Sequence, residues 1–172
     1  MQRPRPRNLS ARAIPQGLTH VDTEGRVVMV DVSEKAATRR TATAEAKVWC
    51  SKATLTAVRS GATHKGDVLA TVRIAAIQAS KRTSELVPLC HPLMLTKVTV
   101  DVSLAKDHAK ISATCETVGP TGVEMEAMTA ASVGALTFYD MVKAIDRHAT
   151  FEVALVAKDG GKSGAFRRKK TS

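Results

Sequence analysis

Hydrophobic positions recur along this chain with two different periods, and the switches between them mark out its elements. Between Asp67 and Ala79 the apolar residues Val68, Leu69, Val72, Ala75, Ala76 and Ala79 fall at i, i+1, i+4, i+7, i+8 and i+11, which lays them along one helical face. Asp67 caps that helix, and Lys65 in His64-Lys-Gly-Asp67 stands just outside it. The stretch from Thr41 to Cys50 alternates with period two, as a half-buried strand does. Ser51 then caps a short helix running to Arg59, and Ser60-Gly61 stops it. Residues 96–105 and 109–118 alternate again, and the short link between them predicts an antiparallel hairpin. A long helix follows from Val123 to Arg147, then a last strand from Thr150 to Ala157. Arg26 to Val32 reads as a short extended piece near the start.

Strand, helix, helix, strand, strand, helix, strand is the order of split β-α-β units. We therefore expect an α+β, ferredoxin-like sandwich: an antiparallel sheet with helices packed on one face. Length agrees with one domain. The composition is 44% hydrophobic but only 3% aromatic, so the core has to be built from small aliphatic side chains in close approach. With so many small residues, the bare sheet face is expected to be covered by another subunit.

The net charge of +10 raises a second possibility, a basic module that binds nucleic acid. Its distribution weakens that reading. Arg3, Arg5, Arg7 and Arg12 carry four charges, Arg167, Arg168, Lys169 and Lys170 carry four more, and neither end contains an acid; residues 13–166 keep only +2. We expect a disordered basic leader over 1–16, a single domain over 17–166 and a disordered basic tail over 167–172. The ends also lack aromatic residues that would stack bases, so specific nucleic-acid binding is not expected. No apolar run reaches membrane-spanning length, and the N-terminus lacks the apolar centre of a secretory signal; the expected location is the cytoplasm. Cys50, Cys90 and Cys115 are odd in number and spaced by 40 and 25, unlike a disulfide framework or a zinc site. Neither a metal site nor a resident cofactor is expected.

Chemistry gathers in four places. In Glu85-Leu-Val-Pro-Leu-Cys-His-Pro-Leu-Met-Leu-Thr-Lys97, two prolines flank a thiol and an imidazole, which suits a rigid ligand-facing loop better than a buried strand. Cys90 and His91 are adjacent and lack an orienting third residue, so a nucleophile-and-base pair is a poor explanation. On the long helix, Met128, Ala131, Ala135, Phe138, Val142 and Ile145 form the sheet-facing stripe, with Thr129, Val133, Leu136, Asp140 and Lys143 roughly opposite. Asp140 and Lys143 are spaced for mutual influence on proton affinity, although spacing alone is satisfied by an ordinary helix ion pair. Glu124 and Glu126 open the helix, where they complement its dipole. Lys65 beside a glycine and a helix start suits a phosphate weakly, and Gly160-Gly-Lys-Ser-Gly164 lacks the spacing and following helix of a nucleoside triphosphatase loop.

Leu89-Cys-His-Pro-Leu-Met94, Thr121-Gly-Val-Glu-Met-Glu-Ala-Met128, Leu136-Thr-Phe-Tyr-Asp-Met-Val-Lys-Ala144 and Gly161-Lys-Ser-Gly164 together resemble the cyclic pyranopterin monophosphate synthase family, molybdenum cofactor biosynthesis protein C. The likeness runs from about Leu18 to Phe166 and takes in Leu18-Thr-His-Val21 and Met29-Val-Asp-Val-Ser33. It implies conversion of 3′,8-cyclo-7,8-dihydroguanosine 5′-triphosphate, supplied by a radical S-adenosylmethionine GTP cyclase, into cyclic pyranopterin monophosphate and pyrophosphate, a lyase reaction without a redox step. By the same resemblance Asp140 is a general acid or base with Lys143 its partner, Lys65 neutralises phosphate or assists proton transfer, and Leu89, Cys90, His91, Met125 and Glu126 contact substrate, with Glu124 a polar neighbour. It further implies a homohexamer, a trimer of dimers, with sites at subunit interfaces. A shared site lets Lys65 and Asp140 come from different chains, and any Mg²⁺ would arrive with the triphosphate.

Overall fold

The computed structural model describes residues 24–169. Its elements run β1 (Thr38–Trp49), α1 (Lys52–Ser60), α2 (Val68–Ser80), α3 (Thr83–Leu86), β2 (Leu95–Leu104), β3 (His108–Gly119), α4 (Glu124–Val142), β4 (Thr150–Asp159) and β5 (Phe166–Arg167). The sheet is antiparallel with strand order β2-β3-β1-β4-β5. Its first four strands give the ferredoxin-like α+β arrangement expected from the element order. The leader over 1–16 lies outside the described residues, as does Leu18-Thr-His-Val21.

Alternation decides which face is covered. Ala42, Ala44, Ala46 and Val48 of β1 and Ala109, Ile111, Ala113 and Cys115 of β3 are all fully buried under α4. Alanines make that contact close. Ala127, Ala130, Ala131 and Ala135 of α4 are also fully buried, and Gly134 sits so near Ile111 and Ala76 that a Cβ there would fall 3.2 Å and 3.4 Å from them. Phe138 is the largest fully buried side chain, worth about 3 kcal/mol of apolar burial. The other sheet face carries Thr43, Glu45, Thr114 and Glu116, with Thr43 and Thr114 hydroxyls 2.9 Å apart and Glu116 held by Arg39 at 2.6 Å. That layer is polar and internally paired.

Several expectations shift. The extended piece at Arg26–Val32 is irregular and mostly exposed, with only an isolated bridge at Val27. The short α3 and the two-residue β5 escaped the pattern reading. Arg167 and Arg168 were placed in the tail, but the Arg167 guanidinium donates to Asp159 at 2.7 Å and the Arg168 amide to the Val156 carbonyl at 2.8 Å, so ordered structure passes residue 166. Helix α4 stops at Val142 rather than Arg147, leaving Ile145 45% exposed instead of on the sheet-facing stripe. The cause is Asp146: its carboxylate accepts from the amides of Ser51 at 2.8 Å and His148 at 3.0 Å, offering the chain a turn in place of another helical turn.

Candidate functional site

Two groups of chemically active side chains lie at opposite ends of α4. At its C-terminal end, Lys65 and Lys143 each donate to one oxygen of the Asp140 carboxylate, both at 2.7 Å. Lys65 also donates to the Asp140 carbonyl at 2.9 Å, one of the last helical carbonyls, which lack an internal partner. Lys143 is delivered by its three-residue spacing on the helix, and Lys65 by the loop before the Asp67 cap, whose carboxylate accepts from the Ala70 amide at 2.9 Å. Hydrogen bonds from Lys143 and then Lys65 hold the Asp140 carboxyl down at about 2, and the same contact raises the Lys143 ammonium. At neutral pH this is a carboxylate clamped between two amines. Lys65 and Asp140 thus meet within one chain, which corrects the idea that they come from different ones. The side chains are about half exposed, 41% for Lys65 and 51% for Asp140 and Lys143, so this surface is unsealed in a single chain.

At the N-terminal end of α4 an open cavity of about 320 Å³ is lined by Leu89, Cys90 and His91 from the proline-flanked loop and by Glu124, Met125 and Glu126 from the first turn of α4. All six predicted substrate-contacting residues therefore converge. The proline-flanked segment reaches the cavity through a turn in which the Cys90 amide donates to the Val87 carbonyl at 3.0 Å. Glu126 is only 4% exposed; desolvation, helped by Glu124, pushes its carboxyl up to about 6. Burial and then Glu126 raise the Cys90 thiol, which argues against a thiolate nucleophile. Among the described residues no cluster of three or more His, Cys, Asp or Glu is placed to hold a metal ion.

Sequence reasoning missed the cations of this cavity, Lys35, Arg40 and Lys158. Arg40 is fixed by donating Nε to the Gly119 carbonyl and Nη2 to the Pro120 carbonyl, each at 3.0 Å. Gly161, at φ +76°, passes so close that a Cβ would collide with Arg40 Nη1. Lys158 pairs with Glu124 at 3.3 Å and also reaches the Ser163 hydroxyl. Gly122 leaves room for the Glu124 carboxylate in its present position, because a Cβ there would run into it. A signal for Arg40 was present: it lies in register with Ala42 and Ala44 on the buried side of β1, where an arginine needs a reason.

The MoaC family model matches residues 29–161, over three quarters of the chain and spanning both groups of residues. The chain belongs to the MoaC family. Membership places it in molybdenum cofactor biosynthesis and fits a small-molecule substrate; it lends no support to a nucleic-acid-binding role for the basic ends. Within the described residues no helix is long and apolar enough to cross a membrane. The MoaC motifs seen in the sequence fall into two places, however. Glu126 and Asp140 are fourteen positions apart on one helix, which at 1.5 Å per residue is about 21 Å.

Proposed function

We propose that this protein is a cyclic pyranopterin monophosphate synthase, a lyase that takes the cyclised GTP derivative 3′,8-cyclo-7,8-dihydroguanosine 5′-triphosphate from a radical S-adenosylmethionine GTP cyclase and releases pyrophosphate, acting in the cytoplasm. The observation that carries this reading within the family is the Lys65–Asp140–Lys143 cluster, a fixed carboxylate with two amines in contact. Opening a purine ring and rebuilding a pterin needs repeated proton transfers at nitrogen and carbon, and such a cluster moves protons without a redox centre. Because Asp140 is held as the carboxylate, it has no proton to give at neutral pH. It serves as the anchor that aims both lysines, and the ammonium of Lys143 is the donor.

Arg40, Lys35 and Lys158 oppose the triphosphate in the cavity, while the buried Glu126, with Met125 beside it, meets the base and His91 closes the opposite wall. A proton-transfer group must stand within hydrogen-bond reach of its target, so a cluster about 21 Å away on the same helix cannot serve this cavity. The cavity of one chain must then be completed by the lysine–aspartate cluster of another, in keeping with a trimer of dimers.

Pyrophosphate and pterin release by native protein and by Asp140→Asn test the reading. Loss of turnover with substrate binding retained supports it; full activity in the variant sinks the role of Asp140, and no activity in either protein sinks the reaction. Co-refolding Asp140→Asn chains with His91→Ala chains tests the composite site: random pairing places one intact site in half the dimers, so roughly a quarter of native activity should return. No recovery would place both groups in service of one chain.

A further inference from the structure

Residues 88–94 carry the imidazole and thiol of the cavity wall, yet they belong to no helix or strand. Among the described residues two hydrogen bonds hold them. One is the Cys90–Val87 turn; the other, the only one made by a side chain, is from Thr117 Oγ1 to the Met94 carbonyl at 2.7 Å. Thr117 is 1% exposed, on the helix-covered face of β3. Its place in the sheet explains the contact. Thr117 is in register with Leu95 of β2 on one side and with Arg40 of β1 on the other. The β2–β3 register then slips between Leu95 and Lys97, a bulge at the point where the cavity-lining segment enters the sheet. The threonine hydroxyl takes up a carbonyl just beyond the last paired residue of the ladder.

We propose that Thr117 is a positioning residue for the nucleotide site: by holding the Met94 carbonyl it sets where His91 stands in the cavity that the fixed Arg40 guanidinium also lines. This rests on the synthase reading above. Valine would fill the same buried volume, so packing does not account for the hydroxyl, and serine would keep the bond while losing a methyl group.

The test uses the full-length chain carrying Thr117→Val or Thr117→Ser, each alone and combined with His91→Ala or Lys158→Ala. Equilibrium binding of the cyclised nucleotide should weaken about tenfold in Thr117→Val, the size of one net hydrogen bond, and stay within about twofold of native in Thr117→Ser. The valine effect should vanish when His91 is already alanine and persist when Lys158 is, because only the first shares the loop. Amide hydrogen exchange should quicken in Thr117→Val over residues 88–94 alone. Native-like binding in the valine variant, equal losses in both backgrounds, or failure of serine to rescue would overturn the assignment. If the native protein itself binds none of the nucleotide, the synthase reading falls, and unchanged exchange in Thr117→Val would remove the positioning role as well.

Discussion

Replacing Glu126 by glutamine should make the protein more stable at pH 8 while weakening its grip on substrate. The carboxyl is nearly enclosed, and desolvation raises it from 4.5 to about 6. Between those values the folded protein holds a proton that the unfolded chain has released, so stability falls as pH rises through that window and remains lower above it. The rise corresponds to about 2 kcal/mol. Glu126 opens onto the cavity, whose water screens part of this, and about 1–2 kcal/mol is the expected penalty at neutral pH and above. Glutamine keeps the shape and removes the charge. At pH 8 its melting temperature should exceed that of the native protein by about 2–8 °C at equal protein concentration, and the gap should close at pH 4. Calorimetry at the two pH values measures it directly. A variant less stable than native at pH 8, or equally stabilised at pH 4, would refute burial of an ionised carboxylate as the cause. Such a cost at a cavity wall is the usual trade of stability for ligand binding.

Removing either amine of the C-terminal cluster, by Lys65→Ala or Lys143→Ala, should let the Asp140 carboxyl move up from about 2 toward its ordinary 3.8, which carbon-detected NMR titration would follow; an unmoved value would mean that the contacts are not formed in solution. Phe138→Ala should destabilise by about 3–5 kcal/mol in urea unfolding, because the side chain is fully buried among alanines that have little freedom to collapse into the space; a loss under about 1 kcal/mol would contradict that packing. Burial pushes the Cys50 thiol up to about 11 and the Cys115 thiol to about 12, so both should resist iodoacetamide at pH 7.5 in the folded protein and label fully in urea, as peptide mass spectrometry would show.

Much of the architecture was legible along the chain because each element states its own period. The helix from Asp67 and the alternating strands came within three residues at either end, and their order predicted the sheet topology. Caps were equally local: the Ser51 hydroxyl accepts from the Thr54 amide as its position suggests, and Gly61 ends α1 in the left-handed conformation. Helix α4 ran too long in prediction because the carboxylate that ends it bonds partly to Ser51, an acid–amide pair separated by 95 residues. The long motifs supplied the family and the six residues that converge on the cavity.

Sequence by itself determined the fold class, the family and the identity of most chemically active residues, since these depend on periodicity and on short runs. Only the tertiary structure decided their grouping. It brought Lys65 onto Asp140 across 75 residues and set Arg40 in the cavity through carbonyls at Gly119 and Pro120. Through the register shift at Thr43/Ala44 it paired Lys158 with Ala42 on the buried face of the sheet. It also separated Asp140 from Glu126 by the length of a helix that a reader of the sequence crosses in fourteen letters. Local patterns encode which way a side chain faces on its own element; which other side chains it meets follows from how the elements pack, and that depends on long-range register and close alanine contacts whose free energy is shared by the whole core.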